Sequence, residues 1–296
     1  MGVEVVPMTR SLLFALPLAA VMAVPSFGCS GTAGSEPPIA ATAAPDTATA
    51  TRAPLATTLQ GPLKVVADAL GDVPLTASQR PVVEKLAVDT ASRHAASRAA
   101  HRDLMIALAA QVQAGAIDRG ALQPKIDVLG AALQAAQPGD RAAFEQLHGL
   151  LTPDQRTAFV NALEARTASR AGAAHGKHPL QQWAIDLQLT EDQQSQIRAA
   201  LKQHWQEVAH DRTGASPAEH GEQAKQMLTA FAGERFVMDE VAPAKDVSGR
   251  AQHMTAHLLG IAEVAVPLLT PQQRAIAAQK LRDKAESLET ETPSLE

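Results

Sequence analysis

The stretch LTPDQRTAFVNALEAR, Leu151–Arg166, decides the fold. A threonine just ahead of a helix caps it, its hydroxyl accepting from the amide three residues on. A glutamine at that third place reaches back to the threonine's own amide. Pro153 then takes the first helical position, where a missing N–H costs nothing. Working outward, the phrase LTxxQ recurs as Leu75-Thr76-Ala77-Ser78-Gln79, Leu151-Thr152-Pro153-Asp154-Gln155, Leu189-Thr190-Glu191-Asp192-Gln193 and Leu269-Thr270-Pro271-Gln272-Gln273. The second and fourth read LTPxQR; the first and third lack the proline. Within a pair the spacing is 76 (75 to 151) and 80 (189 to 269); between pairs it is 114 (75 to 189) and 118 (151 to 269). Pro62-Leu63 and Pro179-Leu180 keep a similar offset, 117. The chain is therefore two tandem copies of one unit of roughly 115 residues.

Composition agrees with a helical reading. Of 296 residues 46% are apolar, yet aromatics are only 3%, with no tyrosine. That argues against a β-sandwich or barrel and for packed helices, an all-α protein. One cysteine excludes a disulfide framework and a cysteine-based zinc knuckle. A net charge of −5 argues against nucleic acid as a partner, since phosphate binding needs a basic surface.

Residues 1–28 read as a signal peptide: Arg10 is a thin basic start, and Ser11 to Val24 an apolar run too short to span a bilayer. Cys29 follows Gly28 at the cleavage point and resembles the lipidated cysteine of bacterial lipoproteins, although Ser26 stands where leucine is usual. Ser26 and Gly28 also suit ordinary cleavage, which leaves a free thiol. Either way the chain is expected to be exported to the periplasm. Residues 29–58 are small, polar or proline and read as a disordered tether. Units at 59–170 and 171–285 follow, then an acidic tail, 286–296.

Each unit should hold a short first helix (62–70; 179–187) and a longer one after its first motif (79–100; 191–211). A third follows (102–114; 217–232), then one running to the second motif (118–148; 237–266). A closing helix reaches Arg170 or Lys284. Pro81 argues that the first copy's helix starts from Ser78, and Pro138-Gly139-Asp140 should kink or break its last helix. Val82, Leu86, Ser97, Ala100, Leu104 and Leu108 share a face with Arg93. The residue one turn into each motif helix is Arg80, Arg156, Gln194 or Arg274, so the leucine ahead of the cap must pack elsewhere in the fold.

Paired LTxxQ phrases on an exported, all-helical chain resemble the Spy/CpxP family of periplasmic stress proteins, over about residues 60–285. The resemblance implies a four-helix unit that pairs with a second into a curved cradle. It also implies ATP-independent chaperones, or envelope-stress and metal-linked regulators. With two units in one chain, the repeat adds the expectation of an intramolecular pseudo-dimer.

Catalytic signatures such as GxxxxGK[ST], GxSxG and HExxH are absent from the sequence, so no enzyme is expected. Arg93, Arg98 and Arg102, interleaved with His94 and His101, are candidates for one wall of a client-binding surface. Residues 59–170 hold 12 basic and 11 acidic residues and residues 171–296, tail included, 12 and 17, so the halves differ in charge. His253 and His257, spaced i,i+4, can face one ion, but two ligands make no zinc site without a third. His175 and His178 flank the junction of the units. Met227, Met238 and Met254, with Trp183 and Trp205, read as core residues. The expected function is a holdase for unfolded or partly folded envelope proteins, without a cofactor. The alternative is a stress sensor binding zinc, copper or nickel through histidines and signalling to a membrane sensor protein.

Overall fold

The computed structural model describes residues 50–55, 61–174, 179–209, 217–242 and 247–289. The signal peptide, Cys29, His175, His178 and the end of the acidic tail lie outside them, as do the side chains of His253, Met254 and Trp205.

Among the described residues every regular element is helical. α1 (Gly61–Gly71) leads to the first LTxxQ phrase, which starts α2 (Gln79–Arg93). α3 (Ala95–Ala114) and α4 (Arg119–Leu150) follow, and the second phrase starts α5 (Pro153–Ala174). The second copy repeats the order with α6 (Pro179–Asp186), α7 (Glu191–Ala209) and α8 (Pro217–Ala232). A short α9 (Met238–Val241), α10 (Val247–Ala265) and a 3-10 turn at Val266–Leu268 precede α11 (Pro271–Glu289). α11 therefore takes in the first residues of the expected tail.

Two apolar cores form, and each draws on both copies. The first takes Val83 from α2, Leu147 from α4 and Phe159 and Leu163 from α5, with Phe231, Phe236 and Met238 from the second copy. The second takes Leu104 and Val112 from α3 and Leu122 and Ile126 from α4, with Leu269, Ala277 and Ala278 from the second copy. Accordingly α11 lies on α3, α10 on α4, and α5 on α8. Fully burying each such aliphatic or phenyl group contributes about 1.5–3 kcal/mol.

Several expectations need correcting. The break between the second and third helices falls at His94, not near residue 101. It separates the two halves of the face read as continuous, so Val82 is 37% exposed and Val83 1% exposed, while Ser97, Ala100, Leu104 and Leu108 are buried as expected. Side chains take over carbonyls at the break: Arg98 Nη1 donates to Ala91 O at 2.7 Å and Ser97 Oγ to His94 O at 2.9 Å. α4 runs unbroken through Pro124 and Pro138. A proline inside a helix costs about 3 kcal/mol, offset here by packing into the second core before Pro138 and the first core after it. Ser78 has helical dihedrals and caps nothing. Trp183 stands partly in solvent rather than in a core.

Residues 50–55, assigned by composition to the tether, are docked. Thr51 and Leu75 exchange both backbone hydrogen bonds at 3.0 Å, and Leu55 enters the first core. Arg80 holds this segment by donating to the carbonyls of Ala53 and Pro54 at 3.2 Å and of Thr51 at 3.3 Å. That bonding depends on residues some 25 positions away, which composition does not register.

Candidate functional site

All four motifs form the capping box. The amides of Thr76, Thr152, Thr190 and Thr270 donate to the Oε1 atoms of Gln79, Gln155, Gln193 and Gln273 at 2.9–3.1 Å. The glutamine amides donate back to the threonine hydroxyls at 3.2–3.3 Å. What the sequence reading missed is that the motifs of a pair clasp each other. Gln79 Nε2 donates to Gln155 Oε1 at 2.9 Å and Gln155 Nε2 to Gln79 Oε1 at 2.8 Å. The second donor of each amide goes to the carbonyl ahead of the partner's leucine, Leu150 O at 2.8 Å and Pro74 O at 2.7 Å. Gln193 and Gln273 repeat the exchange at 2.8 and 3.0 Å, with Leu268 O and Gln188 O as the further acceptors. Two lone pairs and two protons of each amide are thereby used. A signal for this was present: a capping box accepts glutamate as readily as glutamine, yet all four phrases carry glutamine, and a carboxylate has no proton to return. Leu75 and Leu151 are buried in the first core and Leu269 in the second, and Leu189 packs partly into the second core.

The arginine of LTPxQR has its own role. Arg274 lies over Gly115, which ends α3 with φ +89°; a Cβ there would stand 2.1 Å from Arg274 Nη1. Glycine is thus required twice, for its backbone and for the close approach, and the cation meets the negative end of α3. Arg156, the equivalent in the first copy, is buried, and its Nη1 donates to His148 O at 3.4 Å. His148 in turn meets Gly233 O at 3.1 Å and packs against the rings of Phe231 and Phe236.

Between the two cores lies a polar belt on α2, α3 and α4. Asp140, 2% exposed, meets His94 Nε2 at 2.8 Å and accepts from Arg93 Nε at 3.3 Å. Arg93 also donates to Thr90 Oγ1 at 2.8 Å and lies over Gly139, where a Cβ would stand 2.5 Å from its Cδ. Arg141 donates to Ala242 O at 2.8 Å and to Asp239. Gln137, 3% exposed, has no hydrogen-bond partner for either amide atom, and Gln134 has none for Oε1. An unmade bond of this kind costs about 1–3 kcal/mol.

Of the basic candidates, then, Arg93 is turned into the belt, Arg98 caps a helix end, and Arg102 is half-buried on α3. His94 and His101 do not meet at one site: His94 holds Asp140, while His101 is half-buried, and burial first, then Lys284 of α11, lowers its pKa from 6.5. Glu263 pairs with Arg119 across α10 and α4, which raises the arginine's pKa through their hydrogen bonds. Met227 and Met238 fill the first core. Among the described residues no three His, Cys, Asp or Glu side chains gather to hold a metal. An apolar cleft of about 60 Å³ between α1, α2 and α4 falls far below the roughly 300–1,000 Å³ of small-molecule pockets.

Large apolar side chains stand in solvent on α4 and on the two helices it packs against: Ile106 on α3, Val128 on α4 and Leu258 on α10, at 43, 59 and 53% exposure. No helix among the described residues is long and apolar enough to cross a membrane. The chain matches no family model, and no curated protein or solved structure is significantly similar to it.

Proposed function

We propose that the chain is an ATP-independent holdase of exported proteins, its two LTxxQ units paired within one chain as a pseudo-dimer. What supports the pairing is the reciprocal packing: the closing helix of each copy, α5 or α11, lies on the third helix of the other, α8 or α3. The observation that carries the holdase reading is the exposed set Ile106, Val128 and Leu258 on adjoining helices. Weak apolar contacts of this kind suit unfolded segments of varied sequence and need no turnover. Export and anchoring through Cys29 belong to the same reading. The test is light scattering of a chemically unfolded client with metal-free residues 30–296 and no ATP. Suppression at near-stoichiometric amounts is expected, weakened when Ile106, Val128 and Leu258 are together replaced by serine. Folded protein that leaves aggregation unchanged overturns the reading.

One observation favours a second reading, a metal-responsive regulator using His253 and His257. α7 lays the His204 imidazole on α10 at Gly260, where a Cβ would stand 2.2 Å from Nε2, one helical turn beyond His257. Metal titration of the wild type and of His257→Ala separates this reading from the first.

A further inference from the structure

We propose that the polar belt is a hinge between the two cores, latched by Asp140 with Arg93 and His94. The inference rests on where the irregularities of the first copy fall. Among the described residues α4 is the one helix contributing to both cores in a single unbroken run: Leu122, Ile126 and Leu129 belong to the second, Leu147 to the first. Midway, Pro138 has no amide proton, so the Gln134 carbonyl loses its partner in the helical ladder, and Gly139 follows at once. The chain that runs beside α4 is interrupted at the same level. α2, with Val83 and Ala91 in the first core, ends at Arg93, and α3, with Ala100 and Leu104 in the second, starts at Ala95.

Neither apolar cluster fills this level. Ala136, Gln137, Asp140 and Arg141 are buried there, yet none belongs to either core. Bending at this level therefore disturbs little apolar packing, Ala136 being the buried apolar residue among them, and the unpartnered Gln137 amide contributes no bond that resists it. Between α4 and the α2–α3 break, the ties at this level are polar and few. The Asp140 carboxylate holds Arg93 on one oxygen and His94 on the other, the last residue of α2 and the joint before α3. Gly139 lets the arginine stem lie flat enough to reach it. The second copy has no Pro-Gly-Asp at the matching place, so the device belongs to one copy only.

The test labels the two sides of the belt in the full chain carrying Cys29→Ser. Lys85→Cys on α2 and Ala110→Cys on α3, both exposed, take spin labels for electron–electron distance measurement. The parent is expected to give a broad or two-peaked distribution. Pro138→Ala, which restores the missing donor, should collapse it to one narrow peak and raise hydrogen-exchange protection at residues 139–141. Asp140→Asn, which releases the latch, should shift weight to the longer or broader component. If Asp140→Asn does not fold by circular dichroism, Pro138→Ala decides alone. One narrow distribution unchanged by Pro138→Ala overturns the hinge.

Discussion

The first core is aromatic and the second aliphatic, although the same motif clasp closes both. Aligning LTPxQ on LTPxQ, an offset of 118 (151 to 269), sets Phe144 against Ala262, His148 against Val266 and Phe159 against Ala277. All four phenylalanines of the described chain, Phe144, Phe159, Phe231 and Phe236, meet in the first core, with ring centroids of contacting pairs 5.2–6.3 Å apart. In the second, Ala109 of α3 and Ala277 and Ala278 of α11 are buried, and this helix pair makes the most extensive contact among the described residues. The lesson is that a clasp of hydrogen bonds fixes where the helices start, not how far apart they run. Rings fill the space between helices in one core and small side chains fill it in the other.

The largest expected effect breaks the comparison directly. Phe159→Ala gives the first core the residue that the second holds at the matching place. Because the surrounding rings cannot close to the alanine spacing, a loss of about 3–5 kcal/mol is expected in urea unfolding. A loss under about 1 kcal/mol would mean the aromatic core relaxes freely, and the distinction between the cores would go. A middle-sized effect sharpens what the two share. Gln155→Glu and Gln273→Glu each keep the cap but lose two donors and bring a charge to a buried amide's place. Each should cost about 2–3 kcal/mol, far more than a cap-preserving change on an exposed helix, and the two should be alike within error. If Gln155→Glu is neutral, the clasp is not what fastens the motifs.

The smallest effect is confined to the second core's side. His101, on α3 facing α11, has its pKa lowered from 6.5 by burial and then by Lys284. The folded chain therefore binds fewer protons than the unfolded one below that pH, so the stability is fully present above 6.5 and is lost as pH falls through and below it. His101→Gln should flatten the acid limb of a plot of urea midpoint against pH. An unchanged limb would show that His101 is not its source.

Much of this was legible in the sequence, because caps are local. A threonine, a glutamine three residues on and a proline between them state where a helix begins, and the motif helices begin there. The break at His94 was not legible, since Asp140, 46 residues away, and Arg98 together supply its bonds. Nor was the partner of each apolar face. Periodicity says that α3 has a face to bury, but two similar copies offer two similar partners, and only the packed chain shows α11 taken from the other copy. The glutamine clasp fell between these cases: the residue type carried the signal, but its second bonding role needs a partner 76 or 80 residues away.

That each core borrows helices from both copies also bears on how the chain is free to change. In a pair of identical chains any substitution lands twice, once in each core, so both cores must tolerate it together. Joined end to end, the copies accept each substitution once. One core carries phenylalanines where the other has small residues at the matching places, and Pro138 and Gly139 stand in one long helix with no such pair at the matching place of its counterpart.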